Sequence, residues 1–188
     1  MRMVVAGLSH KTASIELRER FAQRTADLEA ALGELRRLEP VGEVCVVSTC
    51  NRVEFYVAGE VEASVLARAL RAHLVQLAGL PPAELEPHLY QHEGQAALTH
   101  LFRVASSLDS MVVGEPQILG QVKEAFRGAD GLGHIGPTLS RAFQRAFGVA
   151  KRVRTETGIA ENAVSMSFAA VELGREIFDS LAGKQVLL

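Results

Sequence analysis

Apolar side chains along this chain switch between two spacings. Residues 2–9, 44–47 and 53–58 are short runs of β-branched, aromatic or small apolar side chains, which predict strands. Leu28, Ala31, Leu32, Leu35 and Leu38 recur at helical spacing, as do Val65, Leu66, Ala69, Leu70 and Leu77. They predict helices over 26–38 and 61–78. A shorter helix follows Ser14, a candidate N-cap, with Ile15, Leu17 and Phe21 on its apolar side. Pro40-Val41-Gly42 and Gly79-Leu80-Pro81-Pro82 are breaks. Residues 89–92 make a short strand, and the chain beyond it reads as helical. Helices are expected over 94–106, from Pro116 to about 127, from 138 to about 155, and over 162–180, with a loop at 130–137.

The order is strand, helices, strand, strand, helix, strand. Two strands joined by a five-residue polar connection pair antiparallel. The pattern suits an α+β fold, a ferredoxin-like split βαβ sandwich followed by a helical segment. Residues 182–188 read as a Gly turn into an apolar strand, the usual entry to an α/β domain. The expected division is a catalytic domain at 1–155 and, at 156–188, a linker helix with the first strand of a truncated nucleotide-binding domain.

Nearly half the residues are apolar (48%), which is a globular composition. No apolar run nears the roughly 18 residues of a membrane helix, and no signal-peptide core follows Met1. A cytoplasmic protein with no membrane partner is expected. A formal charge of −2 gives nucleic acid no general attraction, so an RNA partner would need a local basic patch. The run Arg141, Arg145, Lys151, Arg152, Arg154 is the one candidate, open between a phosphate track and a solvated helix face.

Chemistry concentrates elsewhere. Ser48-Thr49-Cys50-Asn51-Arg52 joins two expected strands. A thiol beside an arginine has the setting of a nucleophile, because a nearby cation favours thiolate. The alternative is an inert cysteine packed in a turn. Cys45 and Cys50 are too few for a disulfide framework, and their spacing is neither CxxC nor a zinc pattern. His100 lies on an expected helix, open between proton transfer and a structural hydrogen bond. Gln117 and Gln121 share a helix face and, with Ser110 and Glu115, offer donors and acceptors to a small polar ligand. The alternative is that Glu115 and Pro116 only begin a helix. There is no GxGxxG, P-loop or zinc signature.

The segments GLSHKTA (7–13), VVSTCNRVEFY (46–56), HLFRVASSLDSMVVGEPQILGQVKEAF (100–126), GPTLSRAF (136–143) and AKRVRTETGI (150–159) resemble the glutamyl-tRNA reductase family, in order and over nearly the whole chain. Two positions depart from its pattern: Ser107 stands where glycine is usual, and Ser14 where proline is usual. The resemblance implies NADPH-dependent reduction of glutamyl-tRNA(Glu) to glutamate-1-semialdehyde through a cysteine thioester, the first step of tetrapyrrole synthesis by the five-carbon route. It implies Cys50 as nucleophile and His100 as a histidine important for activity. Thr49, Asn51, Arg52, Ser110, Glu115, Pro116, Gln117 and Gln121 match glutamyl-binding positions. NADPH is expected on a domain missing from this chain, with no cofactor or metal site within it. A homodimer and a channelling partner, glutamate-1-semialdehyde aminomutase, are also implied. The rival expectation is a non-catalytic tRNA-binding or regulatory module with a structural Cys50.

Overall fold

The computed structural model describes residues 2–160 and 177–178; the expected helix over 162–180 and strand at 186–188 lie outside the described residues apart from those two positions. Strands β1 (Met3–Ser9), β2 (Glu43–Ser48), β3 (Arg52–Ala58) and β4 (Tyr90–Glu93) form one sheet in the order β2-β3-β1-β4. Every neighbouring pair is antiparallel. The four strands expected within the described residues are all present. β1 and β2 run in the same direction with β3 between them, and helices make the crossover.

Helices α1 (Ile15–Arg24), α2 (Leu28–Arg36) and α3 (Ala63–Ala78) pack on one face of the sheet, where Phe21 meets Phe55 edge-on at 6.3 Å. A short turn, α4 (Pro82–Leu85), follows the Gly79 break, which adopts φ 62°. Then come α5 (Gly94–Ala105), α6 (Gln117–Gly131) and α7 (Pro137–Glu156), followed by a 3-10 turn at Gly158–Ala160. These helices are not an appendage, because they cover the sheet's second face: Tyr56 meets Phe143 of α7 edge-on at 5.3 Å. Alternate side chains of β3 thus serve two cores, and all seven of its residues are buried.

One local expectation holds and others shift. Ser14 caps α1, its hydroxyl accepting from the Leu17 N–H at 3.4 Å. Ile15, expected to face inward, is 55% exposed, and Arg18 is buried beside Phe21 instead. Pro116 caps α6 rather than opening it, and α6 continues four residues beyond the expected end, to Gly131. Pro137 occupies the first turn of α7. Glu43 of β2 holds that helix end: its carboxylate accepts from the backbone N–H groups of Gly136, Thr138 and Leu139 at 3.2, 3.0 and 2.7 Å. These are groups that a helix N-terminus leaves without partners, so an acidic side chain from the sheet fixes where α7 begins.

The antiparallel register brings four chain ends to one edge: the close of β1, the β2–β3 connection and the start of β4 all gather there. Gly7 sits between Glu54 and Tyr90 in this register. A Cβ at Gly7 would fall 2.3 Å from the Val53 carbonyl oxygen and 2.9 Å from the Glu54 Cα. The missing side chain lets Tyr90 reach across to Glu54.

Candidate active site

The β2–β3 connection is built by Thr49. Its Oγ1 accepts from the backbone N–H of Asn51 and of Arg52, both at 3.2 Å, and its own N–H donates to the Arg52 carbonyl at 2.8 Å. The loop after β1 braces the turn, with the His10 N–H donating to the Asn51 carbonyl at 2.8 Å. Cys50 stands at the apex of this turn and is exposed, whereas Cys45 is buried in β2. Burial pushes the Cys45 thiol well above its ordinary range. The two thiols are therefore chemically distinct.

Two residues beyond Cys50 lies Arg52, which is 1% exposed. Charge at such a position needs partners. Its guanidinium donates to Glu54 Oε1 at 2.7 Å, to the Asp109 carbonyl at 2.6 Å and to Asp109 Oδ2 at 3.1 Å. Glu54 is fully buried and accepts from Arg52, Tyr56 (2.6 Å), Tyr90 (2.6 Å) and His100 (2.7 Å). Burial alone would push the Glu54 carboxyl up. The His100 hydrogen bond and the Arg52 charge outweigh that and hold it well below the usual carboxylate range. Burial, then the Glu54 charge, pushes both phenols well above theirs, so Tyr56 and Tyr90 stay protonated donors. Asp109 is opposed by burial but held below its ordinary value by Lys11 and Arg52.

An ionised carboxylate only accepts hydrogen bonds. His100 therefore carries its proton on Nε2, and when neutral its Nδ1 is an acceptor with no hydrogen bond among the described residues. Its ring lies against those of Tyr90 and His92, with centroids at 5.3 and 4.8 Å. A cavity of about 510 Å³ opens here, lined by Lys11, Tyr90, His92, His100, Arg103 and Asp109 among others. Burial, then the His100 charge, lowers the His92 pKa; burial, then Arg52, lowers that of His10. Among the described residues the buried His10 Nδ1 has no hydrogen-bond partner.

The structure thus unites Thr49, Cys50, Asn51, Arg52 and His100 around one edge of the sheet. Ser110 is tied to the same place, buried next to Asp109 and accepting from the Ser107 hydroxyl at 3.3 Å. Glu115, Pro116, Gln117 and Gln121 stand at and beyond the start of α6, and their side chains make no hydrogen bond to that cluster among the described residues. Arg52 is not the exposed surface charge that a lone arginine in a polar turn suggests. Glu54, Asp109, Tyr56, Tyr90, His92 and Lys11 were missed by sequence reasoning. The available signal was the alternation Arg52, Glu54, Tyr56, which places all three on one face of β3.

Ser107 takes φ 63°, the left-handed region that favours glycine. This accounts for the residue usual at that position. Ser107→Gly is expected to stabilise the chain by about 0.5–1 kcal/mol, relief of the left-handed cost outweighing added unfolded-state freedom and the lost hydroxyl contact. Urea unfolding measures it; a loss of stability would show that the hydrogen bond to Ser110 matters more than the backbone.

Fold and site together define an α+β domain that displays an exposed thiol on the turn leading into a strand that carries a buried ion cluster. Residues 6–157 match the family model described as glutamyl-tRNA(Glu) reductase, N-terminal domain. The chain belongs to that family. Curated relatives named glutamyl-tRNA reductase from Geobacter metallireducens and Geobacter sulfurreducens are each 54% identical over all of this chain and 43% of their own length. This chain therefore spans under half of those relatives. The solved structure of the glutamyl-tRNA reductase from Methanopyrus kandleri aligns with a TM-score of 0.67 and 35% identity, over 93% of this chain and 40% of that one.

Proposed function

We propose that this chain is the glutamyl-binding and acylation part of an NADPH-dependent glutamyl-tRNA reductase acting at the first step of tetrapyrrole synthesis. The observation that carries the reading is Cys50, exposed at a braced turn and backed by the Arg52–Glu54–His100 cluster. The Cys50 Sγ attacks the glutamyl carbonyl carbon, a C–S bond forms, and the bond from that carbon to the ribose 3′ oxygen breaks. The thiol gives up a proton and the departing oxygen gains one. His100, with Nδ1 free while Nε2 is held by Glu54, is assigned that transfer.

Arg52 is assigned the glutamyl side-chain carboxylate. Two carboxylates already hold its guanidinium, so this role requires Asp109, the more exposed partner, to give way to substrate. Thr49 and Asn51 shape the rim, and Ser110, Glu115, Pro116, Gln117 and Gln121 receive the amino end and backbone of the glutamyl group. NADPH supplies the hydride that reduces the thioester to an aldehyde. The described residues offer no glycine-rich strand-to-helix cradle for it, and its site is assigned to the part of the longer relatives that this chain does not span. The division into 1–155 and 156–188, dimerisation and delivery to an aminomutase belong to the same reading. The strand order β2-β3-β1-β4 supports a ferredoxin-like description of the sheet.

Single-turnover incubation with tRNA(Glu) charged with labelled glutamate, without NADPH, tests the function. Label retained on the protein under non-reducing denaturing conditions supports it; a folded chain that binds tRNA and acquires no label opposes it. Arg52→Lys keeps the charge but not the fork that reaches two carboxylates. Labelling is expected to slow by about ten-fold or more while the chain stays folded, since a bidentate carboxylate contact is lost. An unchanged rate would remove Arg52 from glutamyl recognition.

A further inference from the structure

At the end of the sheet opposite Cys50, where β1 begins and β3 finishes, lies a second cavity of about 450 Å³. It is lined by Arg2, Glu60, Thr138, Arg141 and Arg145, with Leu98 and Ala142 among its apolar walls. Three arginines thus face one glutamate. Among the described residues none of the three guanidinium groups has a hydrogen bond or ion pair. The rest of the basic run behaves differently: Arg152 donates to Glu156 at 2.9 Å, and Arg154 to the Pro116 carbonyl at 3.3 Å.

Arg141 and Arg145 share a face of α7 one turn apart, where like charges repel unless an anion lies between them. The helix cannot turn them away from the cavity, because Ala142, Phe143 and Ala146 are packed in the core. The end of α7 is not itself the donor, since Glu43 has already taken its N–H groups. The anion site rests on the arginines, whose planar donors suit phosphate oxygens.

We propose that this cavity is a phosphate-binding cradle for the RNA backbone of the substrate, a reading that rests on the tRNA assignment above. β1 separates the cradle from the Cys50 edge by seven residues, about 20 Å at ~3.3 Å per residue. A group bound there is not the reacting ester; it is a phosphate farther along the same polymer. Arginines spaced about 6 Å along a helix axis follow a strand of successive phosphates better than they enclose one small anion.

The test is the affinity of uncharged tRNA(Glu) for the chain as a function of salt. Arg141→Gln with Arg145→Gln, and separately Arg2→Gln, are compared with wild type and with Arg68→Gln plus Arg127→Gln, a charge-matched control elsewhere. The cradle predicts about a ten-fold loss for the Arg141/Arg145 pair, with a salt slope shallower by about 1.5. Arg2→Gln should give a smaller loss and the control little change. Equal binding by wild type and the Arg141/Arg145 variant would overturn the cradle while leaving the tRNA reading intact. A uniform loss in the control would also overturn it. If wild type binds no tRNA, the tRNA reading itself fails, and a pyrophosphate titration separates the remainder. Pyrophosphate binding lost in the Arg141/Arg145 variant would make this a site for a small phosphate compound, and no pyrophosphate binding would remove the anion site. Either result overturns the RNA assignment.

Discussion

Cys50→Ser is expected to abolish retention of labelled glutamate on the protein altogether, while Cys45→Ser retains it. The two cysteines differ in the access a substrate has to them. Cys45 is fully buried in β2, and burial pushes its thiol far from ionisation. Cys50 is exposed at a turn whose backbone is fixed by Thr49 and braced by His10. A serine hydroxyl in the same place is a far weaker acid and nucleophile than a thiol, and any ester it formed would not be the thioester that the reduction requires. The fold should not notice the change, because an exposed residue outside the core typically alters stability by within about 0.5 kcal/mol. The check is mass spectrometry of the acylated chain, with thermal melts of both variants. Acylation persisting in Cys50→Ser and lost in Cys45→Ser would move the nucleophile into the core and undo the reading. Brief iodoacetamide treatment of the native chain gives a substrate-independent control: Cys50 should be alkylated and Cys45 spared.

Much of this arrangement was legible from the sequence, and the parts that were not share a cause. Strands and helices followed from period and breakers, since tertiary packing agreed with local pattern. The details that moved, the facing of Ile15 and the far end of α6, lie where exposure is decided by neighbours remote in sequence. Thr49, Cys50 and Arg52 were visible because they are contiguous. Glu54 was not, because within a run of apolar residues it reads as the outward-facing member of a half-buried strand. The second helical layer, α5 to α7, buries that face. Asp109 and Tyr90 reach Arg52 and Glu54 only through the β1–β4 pairing and the loop after α5. Spacing along one strand carries no record of either. Ser107 shows the converse: an odd residue in a motif becomes intelligible once its backbone angle is known.

Glu54→Gln is expected to destabilise the chain by about 3–5 kcal/mol at neutral pH, the usual cost of removing one partner from a buried ion pair. Four donors converge on the Glu54 carboxylate, three of them on Oε1. An amide has one oxygen and no charge, so one side of the site must meet its NH₂ instead of an acceptor, and the buried Arg52 keeps only Asp109 as a counter-charge. Glu54→Asp keeps the charge but is one methylene short, and should fall between the two. The effect must also depend on pH with a definite sign. The folded-state pKa of Glu54 is depressed, so its contribution is complete above the unfolded value of about 4.5. It fades as pH falls below that value toward the depressed one. Urea unfolding of wild type and Glu54→Gln from about pH 7 down to about pH 3 should therefore show the widest gap near neutrality and a narrowing gap below about pH 4.5. Asp109 shares Arg52 with Glu54, so the gap reports the Glu54 carboxylate together with its coupling to that pair. A gap that stays constant across that range would mean that Glu54 is not held as a carboxylate. The Nε2 proton assigned to His100, and with it the free Nδ1 that the acylation step uses, would then have to be abandoned.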